Sequence, residues 1–266
     1  MGKLVGHSGC YLHLTKENLV VKTSSNYNYN ERLELQAKKQ EEFEDKWLKT
    51  PNVKSKQYYS GFFSFTMTYI PGNTMALRLL TRPFPESLQF IDKVIYFLNS
   101  NLNKTKGYEN KQLILNKLDS IRSNFSIPEP ISNWIIEELE NAEIPSGYCH
   151  GDFTLENMIV YDKEIYLLDF LDSYIESPLQ DISKLFQDIY GLWSFRNMDN
   201  LNFLVVIRLK MIKEYLIKNL NISNEILKTI DILAVMNFLR IIPYTKDQNL
   251  IRQLITTIEK IIAQWK

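Results

Sequence analysis

Cysteine is nearly absent from this sequence. Only Cys10 and Cys149 occur, far apart and in unrelated settings, so a disulfide framework is excluded and a reducing compartment is the expectation. Neither lysine plus arginine nor aspartate plus glutamate is in excess, at 31 each, which argues against a protein whose main task is to hold nucleic acid by charge. No apolar run is long enough to cross a bilayer, and the opening MGKLVGHSGC has no hydrophobic signal region, so neither a membrane nor an export route is expected. Internal repeats and low-complexity tracts are also lacking. The reading is a cytoplasmic chain with a sizeable core, since 45% of its 266 residues are apolar.

The N-terminal part has short-period patterns. Tyr11–Leu14 alternates, Lys16-Glu17-Asn18 turns and Leu19–Lys22 returns, which describes a hairpin. After the polar SSNYNYN loop, ERLELQAKKQEEFEDKWL places Leu33, Ala37, Gln40, Phe43 and Trp47 at helical spacing. YYSGFFSFTMTYIPG is aromatic and β-rich and stops at Pro71-Gly72. Beyond it the period becomes helical. Leu88, Ile91, Ile95 and Leu98 form one stripe, Ile114, Leu118 and Ile121 another, and SIPEPISNWIIEELENA carries a helix start. Everything after Leu179 reads as helix. One compact β segment interrupts, with two strands around Asp162-Lys163. The expected fold is α+β: a small β-rich N-lobe over residues 1–72 and a larger, mainly helical C-lobe over 73–266, hinged near Thr68 to Gly72.

The segment that carries chemistry is CHGDFTLENMIVYDKEIYLLDF, Cys149 to Phe170. Asp152 precedes a short loop, Asn157 follows it, and Asp169 ends the second strand. Phosphoryl transfer needs a carboxylate to accept the proton of an attacking hydroxyl and hard oxygens to hold magnesium against phosphates. These three side chains can supply both. Singly, each aspartate reads more simply as a loop carboxylate; it is the joint spacing that makes the signal specific.

HGDFTLEN followed by LLDF resembles the catalytic loop and metal-binding aspartate of the aminoglycoside phosphotransferase and choline kinase family, relatives of the protein kinases. That resemblance implies a two-lobed protein-kinase-like fold. It also implies transfer from ATP or another nucleoside triphosphate with Mg2+, Asp152 as catalytic base, and Asn157 and Asp169 as metal ligands. His150 and Asp181 would brace the loop. Lys22 would touch the nucleotide phosphates, Gly6, Ser8 and Gly9 would cover them, and the Thr68 carbonyl and Ile70 amide would meet the adenine edge. The family pairs the strand lysine with a helix glutamate; Glu34, Gln36, Gln40 and Glu41 all remain open as that partner. For the hydroxyl acceptor, Asp172, Tyr174, Glu176, Trp193 and Arg196 are candidates, able to cage an ammonium group or to hydrogen-bond a sugar. Asp188 and Tyr190 lie in the same stretch, Tyr190 and Trp193 reading equally well as helix packing. The expected partner is a small-molecule alcohol, a sugar or polyol ahead of an amino alcohol such as choline. A catalytically inactive kinase-fold scaffold is the alternative. Lys38-Lys39 reads as a solvated helix face. The sequence leaves open the oligomeric state, the pathway and the choice between ATP and GTP.

Overall fold

The computed structural model describes residues 4–5, 10–198 and 201–266. Gly6, Ser8 and Gly9 lie outside the described residues. Strand β1 (Leu4–Val5) pairs with β2 (Cys10–Leu14), which turns through Asn18 at φ 56° into β3 (Leu19–Ser24). Helix α1 (Asn30–Glu41) follows, then β4 (Val53–Tyr59) and β5 (Phe62–Thr68). The sheet runs β1-β2-β3-β5-β4, antiparallel throughout. One face of α1 covers it, and Cys10, Leu33, Ala37, Phe63, Phe65 and Met67 close a small core between them.

The helical spacing that runs on to Trp47 misleads, because α1 stops at Glu41. Asp45 Oδ1 accepts the amides of Trp47 at 2.7 Å and Leu48 at 3.0 Å, turning the chain. Phe43 and Trp47 are half-buried against the other lobe instead. Phe43 packs 5.4 Å from Phe170, and Trp47 stacks 4.6 Å from Tyr96. Apolar contact of two large rings, each a part of the about 1.5–3 kcal/mol that full burial gives, outweighs one more turn of helix.

The hinge passes Gly72 into β6 (Asn73–Thr74), a short strand with no clear period in the sequence. A Cβ at Gly72 would lie 2.4 Å from the Val160 carbonyl, so only glycine allows this approach. Helices α2 (Met75–Thr81), α3 (Phe84–Asn103), α4 (Gln112–Arg122) and α5 (Glu129–Glu140) come next. The hairpin β7 (Met158–Tyr161) and β8 (Glu164–Leu167) turns, as expected, at Asp162 and Lys163, both with positive φ. β6, β7 and β8 form a second sheet. Helices α6 (Pro178–Gly191), α7 (Phe203–Asn219), α8 (Asn224–Leu239) and α9 (Gln248–Ala263) complete the C-lobe. Its large core centres on α6 and α8; every residue from Thr229 to Leu239 is buried. No helix among the described residues is long and apolar enough to cross a membrane.

Candidate active site

The loop from His150 to Asn157 lies along one face of α6. Three residues of that helix at i, i+3 and i+7 hold it, the spacing that places side chains on a common face. At the start, the Asp181 carboxylate accepts the amides of His150 at 2.8 Å and Gly151 at 2.9 Å. In the middle, Lys184 Nζ pairs with Asp152 Oδ1 at 3.0 Å. At the end, Asp188 accepts the amides of Leu155 and Ser194, both at 2.6 Å. Gly151 has φ 87°, and a Cβ there would sit 2.3 Å from the Leu171 carbonyl. The loop and the segment after β8 therefore touch backbone to backbone.

Burial raises both helix carboxylates, Asp181 to about 7 and Asp188 to about 6, against the pull of the amides they accept. His150 is fully buried, which lowers it to about 4 and leaves the ring neutral. Its Nδ1 accepts the Asp152 amide at 3.2 Å, so the ring proton is on Nε2. Asp152 behaves differently. Partial burial would raise it, but the Lys184 charge and hydrogen bond, His150 and the Asn157 amide outweigh that, holding the carboxyl below its ordinary range. It is ionised at neutral pH, the state a base requires.

Asn157 donates Nδ2 to both the Asp152 carbonyl and Asp152 Oδ2, each at 2.9 Å. Its Oδ1 is the atom left for coordination. Asp169 sits in the left-handed region, φ 58°, with its side chain 39% exposed and Oδ1 2.7 Å from Lys22 Nζ. Its Oδ2 meets no protein donor among the described residues. One amide oxygen and one carboxylate suit magnesium, which takes few protein oxygens when phosphates supply the others. Consistently, no cluster of three His, Cys, Asp or Glu side chains forms a self-sufficient cage among the described residues.

Lys22 is 2% exposed. Burial works most strongly against its charge, yet the Asp169 charge and hydrogen bond outweigh it, and the ammonium is held above its ordinary range. Its second partner is Gln36 Oε1 at 3.0 Å, which decides among the four helix candidates. Gln40 donates to Pro51 O at 2.7 Å, Glu41 pairs with Lys56, and Glu34 accepts from Tyr58. The lysine thus has a neutral helix partner.

Lys39, read from sequence as part of a solvated face, requires correction. Lys38 is indeed 63% exposed, but Lys39 reaches across the lobes to Glu176 at 2.8 Å and to the carbonyls of Leu171 at 3.2 Å and Cys149 at 3.4 Å. Glu176, an acceptor-binding candidate, is committed to that bridge. Asp172 is exposed, and Tyr174 is largely enclosed under Arg240. Neither these two nor Glu176 is on the wall of the large cleft beside the loop, whereas Trp193 and Arg196 are. Arg196 pairs with Glu156 at 3.0 Å and lies 4.3 Å over the Trp193 ring. Tyr190 donates to Asp231 at 2.8 Å. At the hinge, the Thr68 amide donates to Asn52 O, and no residue among those described accepts from the Ile70 amide.

Sequence reasoning missed Lys184 altogether. The only signal for it was its place three residues after Asp181 on a helix already assigned to the loop. Gln36 and Lys39 likewise share one turn of α1, a relation visible in sequence, but their partners are remote.

A family profile described as "Phosphotransferase enzyme family" matches residues 8–200. No curated protein matches the chain. Among solved structures, a thermostable mutant of the aminoglycoside phosphotransferase APH(4)-Ia, in a ternary complex with ADP and hygromycin B, is similar at TM-score 0.64 and 12% identity, over 98% of this chain and 92% of that one. A choline/ethanolamine kinase family protein from Mesorhizobium loti is similar at TM-score 0.54 and 16% identity, over 98% and 86%. A glucosamine kinase in complex with glucosamine, ADP and inorganic phosphate is similar at TM-score 0.53 and 12% identity, over 96% and 74%. These likenesses establish the protein-kinase-like fold. With most of its length matched by the family profile and its two lobes arranged as in those kinases, the chain belongs to the phosphotransferase enzyme family.

Proposed function

We propose that this protein transfers the γ-phosphate of ATP to a hydroxyl of a small polar metabolite. The nucleotide would lie between residues 1–72 and 73–266, its adenine edge against Thr68 O and the unclaimed Ile70 amide. Lys22 would turn from Asp169 to the phosphates. Magnesium, held by Asn157 Oδ1 and Asp169, would supply charge neutralisation at the phosphate oxygens. Asp152, kept ionised by Lys184 and oriented by Asn157, would accept the acceptor's hydroxyl proton as its oxygen bonds to phosphorus. The carrying observation is convergence: Asn157 holds Asp152 at 2.9 Å while Lys22 holds Asp169 at 2.7 Å, gathering base, amide, carboxylate and cation from three separate segments.

The test is phosphate transfer from labelled ATP to a panel of alcohols, with Asp152→Asn as control. An inactive nucleotide-binding scaffold is the second reading, favoured by one feature, the neutral Gln36 beside Lys22. If wild type and Asp152→Asn bind Mg-ATP alike and neither phosphorylates any alcohol, the scaffold reading replaces the kinase.

A further inference from the structure

A cleft of about 1330 Å3 opens beside the catalytic loop, walled by α4, α6, the 193–198 turn, the C-terminal end of α8 and α9. Its wall includes Lys184, whose ammonium holds Asp152 at 3.0 Å, so the cleft and the base are one side chain apart. Its charge is one-sided. Seven lysines and arginines line it against a single carboxylate among the described residues, Asp247, which caps α9 by accepting the amides of Asn249 and Leu250. The chain as a whole has 31 of each sign, so this excess is local patterning and not background.

Two of the seven cations are neutralised, Lys184 by Asp152 and Arg196 by Glu156. Arg32, Arg252 and Lys260 are exposed and read as ordinary solvated charges. Lys117 and Arg240 are more telling. Both are half-buried, and neither has a carboxylate partner among the described residues. Arg240 lines the cleft and makes one long hydrogen bond, to Asn237 at 3.4 Å, so most of its fork of donors has no protein acceptor among the described residues. Burial first, and the like charge of Arg240 second, push the Lys117 ammonium below its ordinary range. Two half-buried like charges lining one cleft, near enough for Arg240 to act on the Lys117 ammonium, favour an anion there.

The aromatic rings near the site speak against a cationic acceptor. An ammonium cage needs open ring faces. On the cleft wall Arg196 lies 4.3 Å over Trp193 and Lys213 is 4.5 Å over Tyr190. Two rings on the cleft wall, Trp193 and Tyr190, thus already have a cation of the protein beside them, while Tyr244 stands exposed to solvent.

We infer that the acceptor is an anionic alcohol, a small metabolite carrying a phosphate or carboxylate as well as the reacting hydroxyl, with Lys117 and Arg240 binding the anionic group. This rests on the kinase reading and deepens it. In the transfer, the hydroxyl oxygen bonds to the γ-phosphorus, the bond from that phosphorus to the β–γ bridging oxygen breaks, ADP leaves with the electron pair and the hydroxyl proton goes to Asp152.

The purified full chain should be assayed with Mg-ATP against a hexose, its 6-phosphate, its uronic acid and ethanolamine. The expected result is a kcat/KM about 10- to 100-fold higher for one or both anions than for the hexose or the amine, the loss on removing charge-assisted hydrogen bonds. The phosphate and uronate arms separate the two anion types. Lys117→Gln and Arg240→Gln should raise KM for the anion by about tenfold while KM for ATP stays, with partial recovery in Arg240→Lys. Equal or better use of the hexose or ethanolamine overturns the inference and leaves the kinase standing. If no alcohol is phosphorylated, calorimetry with the 6-phosphate alone decides. Binding lost in Lys117→Gln keeps the anion site without the kinase, whereas no binding to wild type overturns both.

Discussion

The two lobes hold their chemistry in opposite ways. In the C-lobe, α6 grips the catalytic loop at its start, middle and end through Asp181, Lys184 and Asp188, over a deep apolar core. In the N-lobe the core is one small cluster, and the two lysines that matter reach out of it: Lys22 to Asp169 and Lys39 to Glu176. The proposed base, Asp152, is therefore set by its own lobe, while Lys22, proposed to meet the phosphates, is set by an ion pair to the other lobe. The difference predicts that C-lobe substitutions change turnover and N-lobe substitutions change nucleotide binding.

The largest expected effect is that of Asp152→Asn, which should lower kcat by about 10²- to 10⁴-fold with ATP affinity kept. Loss of ATP binding of that size would end the separation of roles between lobes. Asp169→Ala should come next, removing the magnesium dependence of nucleotide affinity as read by titration with and without the metal; a wild type indifferent to magnesium defeats the assignment. Lys184→Met should lower kcat by about tenfold and move the acid limb of the pH–rate profile upward, because the charge that holds the Asp152 pKa down is gone. An unmoved limb would make Lys184 merely structural. Gln36→Leu leaves Lys22 one hydrogen bond short and should raise KM for ATP about tenfold with little change in kcat. An equal fall in kcat would blur the comparison.

The smallest effect is on stability. Asp181, raised to about 7 in the folded protein, keeps a proton that the unfolded chain releases near 3.9. Stability should rise as pH falls from 8 to 6.5, by about 1 kcal/mol or 2–4 °C in Tm. Below 6.5 His150, lowered to about 4, works the other way, since only the unfolded chain takes up its proton. Asp181→Asn should flatten the slope between pH 8 and 6.5; a slope that survives unchanged assigns it elsewhere.

The segment proposed as catalytic could be picked out in sequence because it is local. His150, Asp152, Asn157 and Asp169 are spaced by one loop and one hairpin, and the Asp162-Lys163 turn fixes the register between them. The N-lobe hairpin and the long C-lobe stripes were legible for the same reason, since period and turn chemistry act within a few residues. The end of α1 was not, because Phe43 and Trp47 keep a helical spacing while their burial partners, Phe170 and Tyr96, lie in the other lobe.

What the sequence determined by itself is the set of groups proposed as reaction machinery: which oxygens are present and how far apart along the chain they lie. What only the tertiary structure decided is which groups face them. Gln36 over Glu34, Gln40 or Glu41, Lys39 bridging the lobes, Lys184 on Asp152, and a basic cleft drawn from α4, α6, α8 and α9 all arise from packing between distant elements. Electrostatic partners are chosen by distance in space, and a charge reads the same in sequence whether a carboxylate, an aromatic face or an open cleft stands across from it.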